Sequence, residues 1–184
     1  QWNALKFLSG DGLFLTAAEN RELRREYEEE SGHVAFDELG TVTVRSGADE
    51  QHIDAIMDLP WLDVDKIRSR NLHAVVDAVE GAGGRIVPAL LERMGVRCTP
   101  MYCEMSGLFP HDPEPTPAHL TDLCSQVQGL GADLGFAVDP DVDRLALVDE
   151  KGIALSEEMT LALADDFLLG KTPGPMAVNL STTG

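Results

Sequence analysis

Leu134-Gly-Phe-Ala-Val138-Asp139-Pro-Asp141-Val-Asp143-Arg144-Leu-Ala-Leu-Val148 is the stretch on which the fold turns. Its first five residues form a short apolar run bounded by polar neighbours, the pattern of a strand buried on both faces. Its last four repeat the pattern. Between them, aspartates stand at every second position, and alternate residues of an extended segment can turn toward one point. Two unit charges about 4 Å apart repel by roughly 1 kcal/mol in water and about 4 kcal/mol at an effective dielectric of 20. Either one carboxyl takes a proton or a cation sits among them. Hard oxygen donors select Mg²⁺, Mn²⁺ or Ca²⁺. The carboxyl end of a strand is where open α/β sheets place their sites. Arg144 adds a fixed cation suited to phosphate.

Three other readings fit the acidic loop less well. An EF-hand also needs Asp at positions 1, 3 and 5, and Glu150 falls at position 12. Arg144 stands where that loop needs Gly, however, and the flanks read as strands. An aspartyl-phosphate phosphatase would want Thr or Val where Asp143 stands. A solvated acidic turn is the bland alternative.

Working outward, strand and helix patterns alternate. Leu72 to Val76 reads as a buried strand. Ala82 to Met94 reads as a helix with an apolar stripe of Ile86, Leu90, Leu91 and Met94, stopped by Gly95. Val96 to Met101 is a further strand. Pro110 to Pro117 is a proline-rich loop with Thr116-Pro117 placed as N-cap and first helical residue, ahead of a helix over 117–129. Ser156-Glu-Glu opens a helix running to Leu169, and Met176 to Leu180 reads as a last strand. This alternation predicts an α/β fold, a three-layer α/β/α domain.

The N-terminal part reads differently. Residues 2–8 and Leu13 to Leu15 are short strands around the turn Ser9-Gly-Asp-Gly12, and 17–31 is an exposed helix ending near Gly32. Gly40-Thr-Val-Thr-Val-Arg-Ser-Gly47 is extended, and the domain boundary falls there, giving 1–40 and 41–184. Residues 48–70 read as helix interrupted at Pro60. With Gln1 at one end and a strand entering a loop at the other, the chain reads as a piece of a longer protein.

The 184 residues are 43% apolar, with 14 Lys plus Arg against 32 Asp plus Glu, a net charge of −18. That balance disfavours nucleic acid and anionic membrane as partners. No apolar run reaches the roughly eighteen residues a bilayer span needs, and no leader opens the chain. Cys98, Cys103 and Cys124 are an odd, low count, which predicts a reducing, cytoplasmic location. No Cys/His spacing fits zinc. Lysine scarcity beside the acidic excess fits adaptation to high salt.

Gly81, Gly83 and Gly84 follow a strand and open a helix, which invites a dinucleotide loop. Ile86 stands where the third glycine belongs, so a tight strand-to-helix turn is the better reading.

Gly131-Ala-Asp-Leu-Gly-Phe-Ala-Val-Asp-Pro-Asp-Val-Asp-Arg144 resembles the metal-binding signature of the α-D-phosphohexomutases, usually Asp-[Gly/Pro]-Asp-[Ala/Gly]-Asp-Arg. Val142 departs from it at a non-ligand position. Val75-Val-Asp-Ala-Val-Glu-Gly-Ala-Gly-Gly84 resembles the opening of the family's second domain, and Phe109-Pro-His-Asp-Pro-Glu-Pro115 its proline-rich loop. Asn179-Leu-Ser-Thr182 resembles the entry to its third domain, and Trp2-Asn-Ala-Leu-Lys6 the segment after the phosphoserine loop. The resemblance implies that 1–40 is the C-terminal part of the first domain, a strand-hairpin-helix remnant. It implies that 41–184 is the second, metal-binding domain. It further implies a Mg²⁺-dependent shift of phosphate between C1 and C6 of a hexose phosphate through a phosphoserine and a bisphosphate. Asp139, Asp141 and Asp143 would be metal ligands, Arg144 a phosphate contact, and Lys6 a general acid/base. The phosphoserine and the sugar-reading loops would lie outside this chain. The sugar and the oligomeric state stay open. The competing class is a non-catalytic metal- or nucleotide-binding α/β module.

Overall fold

The computed structural model describes residues 6–29 and 32–177. The chain divides into two compact units, Gln1–Arg45 and Ser46–Gly184. In the first, Ser9 to Gly12 turn back the chain, closed by the Ser9 amide on the Leu13 carbonyl (2.8 Å). Among the described residues, strand pairing there is one antiparallel bridge, Leu8 to Phe14; the strand expected over 13–15 shows this single contact, and most of the one expected over 2–8 lies outside the described residues. Residues 1–5 lie outside the described residues. Helix α1 (Ala17–Glu28) opens on a capping box. The Thr16 hydroxyl accepts from the Glu19 amide, and the Glu19 carboxylate accepts from the Thr16 amide. Every described residue of α1 is at least partly exposed, as its composition predicts.

In the second unit, α2 (Ala48–Met57) and α3 (Val64–Ser69) flank Pro60, and the Asp63 carboxylate caps α3 by accepting from the Lys66 amide at 2.9 Å. The break between them spans 58–63, wider than a proline alone requires. Then come β1 (His73–Asp77), α4 (Gly83–Arg93), β2 (Arg97–Met101), α5 (Thr121–Leu130), β3 (Leu134–Val138), β4 (Leu145–Val148) and α6 (Glu157–Lys171). The last expected strand falls mostly on residues from 178 onward, outside the described ones, and Met176 and Ala177 are not in a strand. Among the described residues no helix is long and apolar enough to cross a membrane.

The sheet order is β2-β1-β3-β4. β1 runs parallel to β2 and to β3, while β4 runs antiparallel to β3. The direction of β4 follows from chain length: only residues 139–144 join it to β3, and a parallel crossover needs a dozen or more. Strand alternation sorts the core onto two faces. Val75, Ala137, Ala146 and Val148 meet Leu120, Leu123 and Val127 of the α5 layer. Ala74, Val76, Leu134 and Phe136 meet Val87, Leu91 and Met94 of α4, with Ile67 of α3 beside them. This is the three-layer α/β/α arrangement.

The face of α4 packed on the sheet runs through Gly83, Val87, Leu91 and Met94, at i, i+4, i+8 and i+11, with Leu91 buried and Val87 and Met94 half-buried. Of the expected stripe, Leu91 and Met94 join this cluster, while Ile86 and Leu90, equally half-buried, do not. The glycines set this rotation. A Cβ at Gly83 would lie 2.8 Å from Val138 Cγ2, and one at Gly84 would lie 2.4 Å from the Cys103 carbonyl oxygen. Only glycine lets the first turn of α4 sit this close.

From β1 the chain moves through α4 to β2 on one side, then returns through α5 to β3 on the other side of β1. The loops leaving β1 and β3 therefore diverge at their carboxyl ends. Such a switch point is where open α/β sheets place their sites.

Candidate metal centre

Asp139, Asp141 and Asp143 converge at this edge of the sheet, each offering a carboxylate oxygen, the three within 4.8 Å of one another. Asp139 is buried at 8% exposure, while Asp141 and Asp143 are exposed. The loop that carries them is held from three directions. The Asp139 carbonyl accepts from the Val142 amide (3.2 Å), and its Oδ1 accepts from the Arg144 amide (3.0 Å). The Ala82 amide, at the start of α4, donates to the Pro140 carbonyl at 2.9 Å. Gly81 lies against the same proline: a Cβ there would be 2.7 Å from Pro140 Cα and 2.8 Å from its carbonyl oxygen. The glycine cluster thus cradles protein backbone at Gly81 and Gly84, and the approach that a dinucleotide pyrophosphate would use is filled.

Burial drives the Asp139 carboxyl up to about 6, helped by its hydrogen bond to Asp141 and the charges of Asp143 and Asp141, against the stabilising Arg144 amide. This is the behaviour of a carboxylate set short of positive charge. A divalent cation supplies that charge. Ligands of one Mg²⁺, each about 2.0–2.1 Å from the ion, stand at most about 4.2 Å apart. The triad's oxygens, within 4.8 Å of one another, are close to that spacing, and the two exposed carboxylates are the ones with room to turn inward. Three carboxylates and no soft donor suit a hard cation.

Arg144 lies at the rim, half exposed, its guanidinium paired with Glu114 and 4.0 Å from Asp143 Oδ1. Glu114 was not foreseen. It comes from the proline-rich loop, whose Pro113 and Pro115 are buried and fix it beside the site. Lys6 is exposed and belongs to the first unit.

Backbone strain gathers at the same edge. Val79 and Glu80 after β1, Tyr102 and Met105 after β2, and Val142 after β3 all have φ between 47° and 65°. For β-branched Val79 and Val142 this is a sparsely populated conformation, sustained only where surrounding contacts over-determine it. The departure of Val142 from the usual small residue therefore falls on a left-handed position between two aspartates.

The family model described as phosphoglucomutase/phosphomannomutase, alpha/beta/alpha domain II, matches residues 50–152. A Methanopyrus kandleri protein named "Probable phosphoglucosamine mutase" is 32% identical over 185 residues, covering 100% of this chain and 40% of that protein. A Thermococcus kodakarensis "Phosphoglucomutase/phosphomannomutase" is 30% identical, with the same coverage of both. The chain thus spans about two fifths of the length of these relatives. The crystal structure of a Burkholderia thailandensis phosphoglucomutase/phosphomannomutase family protein superimposes with a TM-score of 0.64 at 24% identity, over 87% of this chain and 33% of that one. It shares the fold.

Proposed function

Because the chain belongs to the phosphoglucomutase/phosphomannomutase family of α-D-phosphohexomutases, we propose that it is the metal-binding portion of a Mg²⁺-dependent phosphohexomutase. That enzyme, an isomerase acting by intramolecular phosphotransfer, would shift phosphate between C1 and C6 of a hexose phosphate through a phosphoserine and a bisphosphate. The observation that carries the proposal is the convergence of Asp139, Asp141 and Asp143 on one point at the sheet's switch point.

When bound, Mg²⁺ would neutralise charge on a transferring phosphate, the largest part of phosphoryl-transfer catalysis. Asp139, aligned by the Arg144 amide, would be the fixed ligand, and the exposed Asp141 and Asp143 would supply the other two carboxylates. Arg144, paired with Glu114 and beside Asp143, would present a permanent cation to a phosphate at this site. Lys6 would serve as general acid/base, a role open to a lysine whose pKa is lowered by desolvation in the assembled cleft. Residues 1–40 would be the end of the first domain and 41–184 the second. The serine nucleophile and the sugar-reading loops would come from other parts of the enzyme. The chain by itself is therefore expected to bind Mg²⁺ weakly and to be inactive.

Isothermal titration with Mg²⁺ tests the site. Binding weaker than micromolar that vanishes in Asp139→Asn and Asp141→Asn supports it, and no heat in the unmodified chain removes it. Assay of glucose 1-phosphate to glucose 6-phosphate interconversion tests the division of labour, since turnover by this chain alone would contradict it.

A further inference from the structure

A second polar cluster lies beside the acidic loop. Asp77 ends β1 at 1% exposure. Its Oδ1 accepts from the Val79 amide (2.9 Å), and its Oδ2 lies 2.9 Å from Nε2 of His111. The other ring nitrogen, Nδ1, lies 2.8 Å from the carbonyl oxygen of Asp112. A carbonyl only accepts, so Nδ1 carries a hydrogen. A neutral imidazole has one N–H, which would leave Nε2 bare against a carboxylate oxygen, two acceptors in contact. One further proton therefore lies between Nε2 and Oδ2. The pair is either imidazolium with carboxylate or neutral imidazole with carboxylic acid, and both are net neutral. That neutrality is what makes a buried Asp77 tolerable.

The surroundings agree. Burial pushes Asp77 up, and the Val79 amide and His111 pull it back down. Tyr102 stands edge-on to the His111 ring, centroids 5.7 Å apart, and donates its hydroxyl to Asp122 at 3.0 Å. Asp122 raises Asp77 further, and the neighbouring Cys103 thiol is raised by burial, with a smaller push from the Asp77 charge. His111 is the one basic side chain facing the Asp77 carboxylate among the described residues.

His111 opens the proline-rich loop, and Glu114 lies three residues on. The Glu114 amide donates to Asp112 Oδ1 at 3.1 Å, and its carboxylate pairs with the Arg144 guanidinium. The Arg144 amide holds Asp139. The geometry points to His111 as a positioning residue for the metal loop: by sharing one proton with buried Asp77 it pins the proline-rich loop to the end of β1, so that Glu114 holds Arg144 against the aspartates. The purpose rests on the Mg²⁺ proposal; the latch itself does not.

The test uses the ¹⁵N-labelled chain. Imidazole spectra of the unmodified protein show a protonated Nδ1 at His111; a bare Nδ1 overturns the proton assignment. His111→Ala lowers amide-exchange protection across 110–117 and at Arg144, and weakens Mg²⁺ binding about tenfold, as loss of an outer-shell partner does. His111→Gln, whose amide can donate to Asp77 without a shared proton, restores both. Unchanged Arg144 protection in His111→Ala overturns the proposal, as does a Gln variant no better than Ala. Should the Ala variant fail to fold, Glu114→Gln reads the outer half, loosening Arg144 while 110–113 stay protected; an unaffected Arg144 there overturns it. An unmodified chain that ignores Mg²⁺ while Arg144 still loosens in the variants defeats the metal proposal and leaves the latch. Mg²⁺ binding with Arg144 indifferent to His111 does the reverse.

Discussion

Asp139 is the buried member of the triad, and its raised proton affinity has a consequence with a definite sign. Without metal, the folded chain holds this proton to about pH 6, whereas the unfolded chain releases it near about pH 3.9. The folded state then binds more protons over that window, so the contribution of Asp139 to stability is full below it and is lost as pH rises through about 6. A bound cation would compete for the same oxygen and reverse the trend. Thermal melts across this range should show the EDTA-treated chain losing stability as the pH climbs. With millimolar Mg²⁺ the melting point should instead rise, and apparent Mg²⁺ affinity should drop on acidification below about 6. Gly81 is the other decisive residue. Its missing Cβ leaves room for Pro140 backbone, which cannot step aside as a flexible side chain could. Gly81→Ala should cost about 1–3 kcal/mol by overpacking, read by urea unfolding, and should weaken Mg²⁺ binding further than that loss of stability explains.

At the level of elements, α4 and α5 clamp the sheet by different means. Glycines at the start of α4 let its first turn lie against Val138 and the Cys103 carbonyl, while α5 fills its face with Leu123 and Val127, both at 0% exposure. Gly135 of β3 makes room for them, since a Cβ there would lie 2.9 Å from Val127 Cγ2 and 3.1 Å from Leu123 Cδ1. Leu123→Ala should therefore cost about 2–5 kcal/mol in chemical denaturation, with little direct effect on the acidic loop. In α1 the Thr16–Glu19 capping box is the main tertiary-independent support, since no described residue of that helix is buried. Thr16→Ala should lower helicity of the first unit by about 1 kcal/mol of helix stability, seen as faster amide exchange over α1 and none over α4.

For the whole molecule the governing quantity is a net charge of −18. Self-repulsion of this size destabilises a compact state at low ionic strength. Salt shortens the range of that repulsion to about 10 Å at 0.1 M and about 3 Å at 1 M. The melting temperature should rise from low to molar KCl, and a flat response would remove the high-salt explanation of the composition. The first unit also exposes Phe7, Leu13, Phe14, Phe36 and Val42, each more than half accessible. Apolar surface of this kind favours association, so light scattering should show the chain's apparent mass rising with concentration.

Local features of the chain were enough to place the four strands of the second unit's sheet, since short apolar runs bounded by turn residues leave no other way to bury themselves. The convergence of the three aspartates was legible too, because they stand at alternate positions within one loop and need no distant partner to meet. The antiparallel direction of β4 was implicit in the length of 139–144. What only tertiary structure decided were contacts between segments far apart in the chain. The rotation of α4 depends on Val138 and Cys103, not on its own stripe of apolar residues. Glu114 beside Arg144, Asp77 beside His111 and Pro140 over Gly81 join residues whose separation along the chain carries no periodic signal. Left-handed Val142 follows the same logic, because its own propensity opposes that conformation and only the surrounding loop holds it there.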